Sequence, residues 1–122
     1  MTGDAMLEEK AKEVGRLIGQ SPEHKGLKQS SEALNADREA VALLQEMDKL
    51  RGEAQQLIQR GENPTPEMEQ QLDSMLEKIQ SQSAYQRAVA AQENFDKLML
   101  RVNQWIMDGM KKGAASPIIT LS

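Results

Sequence analysis

The residues of this chain that could carry acid–base or metal chemistry are few and scattered. His24 is the only histidine among the 122 residues, and it lies two residues after Pro22 and beside Lys25. A catalytic histidine needs a nucleophile and an orienting carboxylate in a pocket, and a metal site needs a cluster of ligands. The residues around His24 have the spacing of neither arrangement, which favours a partly exposed surface histidine.

Neighbouring carboxylates form the second group of candidates, namely Glu8/Glu9, Glu67/Glu69 and Asp73/Glu77. Paired carboxylates can serve as general acid and base, but on amphipathic helices they usually form the solvated face. The sequence also has no Glu-x-x-His motif, which excludes a di-iron bundle of the ferritin type.

Cysteine is absent, so disulfides, thiolate catalysis and cysteine-ligated clusters are excluded, and a reducing compartment is favoured. The eight glycines are dispersed rather than gathered in a phosphate-binding loop. We therefore predict that the chain is not an enzyme, with no catalytic residues, no metal site and no cofactor.

Charge and hydropathy narrow the classes of partner. The net charge is −4 and the basic residues are spread out, which argues against direct nucleic-acid binding. No apolar run approaches the roughly 20 residues of a membrane span, and the segment Met-Thr-Gly-Asp-Ala lacks the features of a signal peptide. We predict a cytoplasmic protein without membrane contact.

The apolar composition predicts an all-α protein. The chain has eight Met but one Phe, one Tyr and one Trp. Flexible Met side chains suit helix packed on helix, whereas sheets favour β-branched and aromatic residues. The spacing of apolar residues predicts an elongated bundle of about five helices, with a helical hairpin in the middle and a long C-terminal helix.

Capping residues mark most of the predicted helix boundaries. Asp4 is expected to cap the first helix, whose apolar stripe is Leu7, Ala11, Val14 and Ile18. Ser21-Pro22 begins a second helix, which Gly26 and a thin apolar stripe make the weakest of the set.

Two further helices follow and are expected to form the hairpin. Asp37 caps the third helix, which runs to Gln59, and Gly61 ends it. Thr65-Pro66 then begins the fourth helix. Because the connection is short, the two helices should pack antiparallel.

The last helix is expected to begin at a cap on Ser81 or Ser83 and to stop at Gly113. Counted from Ser83 to Lys112 it would be roughly 45 Å long, whereas a compact domain of this length has a diameter near 35 Å. The helix should therefore extend beyond its own domain, packed on the first and third helices over part of its length.

An overhanging apolar stripe needs a partner, so we predict a homodimer or higher oligomer. The candidate contacts are Phe95, Met99, Val102, Trp105, Ile106 and Met110. Trp105 has two interpretations, an anchor of the interface or a core residue near the helix end. We place a single helical domain at residues 1–113 and a tail at residues 114–122, which either docks on a helix face or is disordered.

Three stretches resemble the YlbF/YmcA family of bacterial regulators. They are residues 13–23, residues 33–37 with Leu43-Leu44, and residues 85–93 with Val102-Asn103. In that family an amphipathic helix runs into a Ser-x-Glu-Tyr turn and an Asp-Pro opens the next helix. The similarity covers roughly residues 5–108, although His24 replaces the usual Tyr and Arg38 the usual Pro.

The resemblance implies a non-enzymatic helical adaptor. Some relatives are described as carrying a cysteine-ligated iron–sulfur cluster in a three-protein complex that modulates an RNA-processing endoribonuclease, competence and sporulation. This chain has no cysteine to supply such ligands, so the resemblance leaves the adaptor role, with self-association and contacts to another protein.

Two alternatives remain open on the residues alone. One is a helical chaperone similar to prefoldin subunits, in which the hairpin would hold client proteins. The other is an enzyme or ligand binder, which would require a concave site with perturbed titratable groups.

Overall fold

The computed structural model describes residues 2–115, and within that range the chain is helical and without strands. The five helices are α1 (Thr2–Gly19), α2 (Pro22–Ala36), α3 (Arg38–Gln59), α4 (Pro66–Gln80) and α5 (Ser83–Ala115). The predicted all-α class and the long C-terminal helix are confirmed. At 33 residues, α5 is about 50 Å long.

Three helices begin at the predicted caps. The side-chain oxygens of Ser21, Asp37 and Thr65 each accept a hydrogen bond from the backbone N–H three residues later, at 3.1, 3.0 and 3.1 Å. Pro22 and Pro66 occupy the first helical positions of α2 and α4, where the missing N–H costs nothing. Local sequence therefore determines these starts.

The predicted start of α1 is wrong by a few residues. α1 begins at Thr2, so Asp4 lies in its first turn rather than before it. A carboxylate in the first turn still interacts favourably with the helix dipole, which explains why an acidic residue near the start does not identify the cap.

The predicted serine cap of α5 is also wrong. Ser83 is the first residue of α5, and Ser81 ends α4, where its hydroxyl donates to the carbonyl of Lys78 at 2.7 Å. The Ser81 hydroxyl is thus already used by the helix before it. The first turn of α5 closes on the carbonyl of Gln82, which accepts from the Gln86 N–H at 3.0 Å.

The predicted hairpin of α3 and α4 is present, and Gly61 makes its turn. The N–H of Glu62 donates to the Leu57 carbonyl at 2.9 Å and that of Gly61 to Ile58 at 3.0 Å. These are the two bonds of a Schellman motif, which requires a left-handed residue at Gly61, and its φ is +81°.

The main core lies inside this hairpin. Its buried centre is Met47, Met75 and Ile79. Leucines from both helices and Tyr85 from α5 pack around it; the partly buried set is Leu43, Leu44, Leu50, Leu72, Leu76 and Tyr85. The apolar stripes of α3 and α4 therefore face each other, and α5 contributes Tyr85 to the same core.

The long helix packs mainly against α2, so the prediction that α5 lies on the first and third helices is wrong. The two helices run antiparallel, since Glu23 meets Arg101 near one end while Gly26 and Ala91 line the same groove further along. The ring contact of His24 on α2 with Phe95 on α5 lies within this interface.

The end of α5 lies two residues beyond the predicted stop at Gly113, since Ala114 and Ala115 continue the helix. Among the described residues, only Gly61 is a glycine with positive φ, so Gly113 keeps helical geometry. The remaining tail, residues 116–122, lies outside the described range.

Candidate functional site

Half of the predicted contact residues are used inside the chain. Phe95 and Met99 are half-buried and Val102 is buried. The ring of Phe95 meets the imidazole of His24 edge to face, with 5.9 Å between centroids. Phe95 thus packs against α2, and all three side chains are at least partly covered by their own chain.

The other half is exposed at the distal end of α5, which we define as residues 103–115. Trp105, Ile106 and Met110 are 61%, 50% and 67% exposed, and every residue of the distal end is exposed. α2 begins at Pro22 and its cover ends near the Glu23–Arg101 contact. Beyond that point the apolar stripe of α5 is uncovered.

A second uncovered stripe lies on α1, which the sequence prediction missed as a contact surface. From Gly3 to Gly19 only Ile18 is half-buried, and the rest is exposed. The large exposed side chains of α1 are Met6, Leu7, Val14 and Leu17. The amphipathic spacing was visible in the sequence, but spacing does not reveal whether a stripe faces its own core or another chain.

The two stripes converge in a groove that we call the α1–α5 notch, with a volume of about 390 Å³. It is lined by Val14, Leu17, Ile18, Ser21, Leu98, Val102, Trp105 and Ile106. The lining has two polar groups, the indole N–H of Trp105 and the hydroxyl of Ser21, which already donates to the Ile18 carbonyl at 2.6 Å. The notch therefore offers apolar contact and almost no hydrogen bonding.

The exposed surface of the chain is large for its mass. The accessible area is 9667 Å², whereas a compact monomer of 13.6 kDa exposes about 6,600 Å² by the usual scaling with mass. The excess is about 3,000 Å². An excess of this kind is what an elongated arrangement of helices gives, since fewer of its side chains are covered than in a compact domain.

The candidates for catalysis are not brought together. Glu8 pairs with Lys12 on the surface of α1 at 2.8 Å, and His24 packs on Phe95. Over residues 2–115, no three Asp, Glu or His side chains lie close enough to hold a metal ion. None of the helices in that range has the length and apolar content needed to cross a membrane.

Fold and surface thus define a class, an elongated helical protein with two uncovered apolar stripes. Residues 7–111 match the family model described as control of competence regulator ComK, YlbF/YmcA. The chain therefore belongs to the YlbF/YmcA family, a family described as regulators.

Curated relatives agree with this membership. A UPF0342 protein of Streptococcus sanguinis is 31% identical over 98 residues, covering 80% of this chain and 88% of the relative. One of Streptococcus gordonii is 39% identical over 71 residues, or 58% of this chain and 63% of its own length. A UPF0342 protein of Desulfitobacterium hafniense is 28% identical over 103 residues, covering 84% and 77%.

Proposed function

We propose that this protein is a non-enzymatic regulator that acts through protein contacts, and that a second copy of itself is the first of those contacts. The observation that carries the proposal is the pair of uncovered apolar stripes on α1 and on the distal end of α5. Exposed apolar patches larger than a few hundred Å² are rare on monomers and mark association sites.

The regulatory role follows from the family description, which names control of a competence regulator. In this proposal the chain acts in the cytoplasm as an adaptor for another protein, in competence, sporulation-type development or RNA processing. Since the chain has no cysteine, it works without cysteine-held clusters. Protein contact, rather than DNA binding, is favoured by the net charge of −4.

The observations favour self-association over a chaperone-like hairpin. Along α3 and α4, Ile58 is the single large apolar side chain that is strongly exposed, which is too little surface to hold a client protein. The exposed apolar side chains are instead concentrated on α1 and α5.

Light scattering at micromolar concentration tests the self-association. We expect a mass near 27 kDa, twice 13.6 kDa. Ile106→Asp should place a charge in the uncovered stripe and give a mass near 13.6 kDa, because burying an isoleucine is worth about 1.5–3 kcal/mol. Unchanged circular dichroism at 222 nm would show that the variant is still helical.

Leu100→Asp is the matched control. Leu100 is 64% exposed, comparable to Ile106, but at 100° per residue it lies on another face of α5. The control should remain a dimer. A wild-type mass near 13.6 kDa would contradict the proposed function.

A further inference from the structure

We infer that two copies pair with α1 of each copy lying antiparallel along the distal end of α5 of the other. In this arrangement, which we call tip to tip, the N-terminal end of α1 (its tip) lies beside the C-terminal end of α5 (its tip). This inference rests on the proposed self-association and adds its occupant and its orientation. The α1–α5 notch is then occupied by a second copy of this chain, whose α1 and α5 enter the groove from the solvent.

The spacing of the uncovered stripes matches in this orientation. Read from the tip inward, the stripe of α1 is Leu7, Ala11 and Val14, with steps of four and three residues. On α5, Gly113 and Gly109 lie on the same side of the helix as Ile106, again with steps of four and three when read from residue 115 inward. Antiparallel helices with such steps keep their stripes in contact along a shared seam.

Side-chain size is also complementary along the seam. The antiparallel register sets Leu7 opposite Gly113 and Ala11 opposite Gly109, so each glycine faces a larger side chain. A Cβ added to either glycine would meet nothing within 4 Å in the single chain. Their small size therefore serves no contact within the chain, while it leaves room for a neighbouring helix.

Charge selects the tip-to-tip orientation over the reverse. Residues 3–9 of α1 carry Asp4, Glu8 and Glu9 without a basic residue, and residues 109–115 of α5 carry Lys111 and Lys112 without an acidic one. Tip-to-tip pairing brings these opposite charges together and aligns the helix dipoles antiparallel. The reverse pairing would set the two lysines beside residues 10–19 of α1, where Lys10, Lys12 and Arg16 outnumber the single carboxylate of Glu13.

Large exposed apolar side chains are present on both helices of the proposed pair, with Met6 and Leu7 on α1 and Trp105 and Met110 on the distal end of α5.

Isotope-mixed cross-linking tests the arrangement. Unlabelled chain and chain uniformly labelled with ¹⁵N are mixed in equal amounts and treated with a carbodiimide, which joins a carboxylate to an adjacent lysine amine. We expect mixed-isotope peptides that link Glu8 or Glu9 to Lys111 or Lys112. Links found only within one isotope would show that α1 folds onto its own α5, and mixed links to Lys97 would show the reverse orientation; either result overturns the inference.

Charge reversal provides a second measurement. Lys111→Glu with Lys112→Glu should weaken the dimer at least tenfold, and mixing with an Asp4→Lys, Glu9→Lys chain should restore it. Reversal of Lys28 and Lys49, which are exposed on α2 and α3, is the control and should leave the dimer unchanged.

The two proposals fail in distinguishable ways. A monomeric wild type in light scattering overturns the self-association itself. A stable wild-type dimer that lacks the expected links, or whose charge reversal has no effect, overturns only the tip-to-tip arrangement.

Discussion

The imidazole of His24 meets the ring of Phe95 edge to face, with 5.9 Å between centroids and 62° between planes. Both side chains are half-buried, and the backbone N–H of His24 donates to the capping hydroxyl of Ser21 at 3.1 Å. The single histidine of the chain is thus a packing residue between α2 and α5, placed where α2 begins.

This ring pair should be energetically coupled. In a double-mutant cycle of His24→Ala and Phe95→Ala, we expect a coupling of about 0.5–1.5 kcal/mol in the free energy of unfolding, the usual range for such pairs. Urea denaturation measures it. A coupling near zero would mean that the rings merely lie close.

The neighbouring ion pair is the matched comparison. Glu23 and Arg101 approach to 3.4 Å but are 28% and 51% exposed, so solvent screens their attraction. The cycle of Glu23→Gln and Arg101→Gln should give at most about 0.5 kcal/mol. A larger coupling would show that the contact between the start of α2 and α5 is held by charge rather than by packing.

Gly61→Ala should destabilise the hairpin. The left-handed φ of +81° at this position costs an L-residue with a side chain roughly 1–2 kcal/mol. Gly52→Ala, within α3, is the control, because its added Cβ meets nothing within 4 Å. Gly52→Ala should stabilise the protein by up to about 1 kcal/mol. Thermal unfolding compares the two variants, and a Gly61→Ala protein as stable as Gly52→Ala would contradict the left-handed turn at Gly61.

Asp37→Ala should cost about 1 kcal/mol of stability, because Asp37 caps α3 by accepting from the Ala40 N–H at 3.0 Å. Asp37→Asn keeps an acceptor at the same position and should retain most of the stability. Chemical denaturation of the three proteins decides the point, and identical losses for both variants would contradict the cap.

Hydrogen exchange in α1 should depend on protein concentration. An isolated helix of 18 residues is marginally stable in water, and α1 has little cover from its own chain. We expect its amides to exchange fast in Ile106→Asp and to be protected at micromolar wild type, while the α3–α4 hairpin is protected in both. Protection of α1 that ignores concentration would argue against a partner chain.

Local features of the fold could be predicted because each is determined by a few consecutive residues. Ser21-Pro22, Asp37 and Thr65-Pro66 give their helix starts directly, since the capping oxygen and the backbone N–H that donates to it lie within one turn. Asp4 and Ser81 misled the prediction because their side chains are equally stable in other roles, one in the first turn of α1 and the other at the end of α4.

The choice of partners between helices was not predictable from the stripes. Every amphipathic helix of this chain has a stripe that could face α5. Which helix packs against α5 depends on how closely the two backbones approach. Gly26 and the thin apolar stripe of α2 were interpreted as weakness, whereas α2 is the helix against which α5 mainly packs. The exposed state of α1 was missed for the same reason, because a stripe at Leu7 and Val14 has the same spacing whether covered or not.

The attachment of α1 by one end links the lifetime of the protein to its abundance. Under the proposed pairing, a copy without a partner has an uncovered and marginal helix that carries Lys10, Lys12 and Arg16, the residues at which trypsin-like proteases cut. Paired copies protect that segment and unpaired ones lose it. When the concentration of the chain is too low for pairing, cells would then degrade the unpaired copies. The amount of intact regulator would therefore rise more steeply than its rate of synthesis.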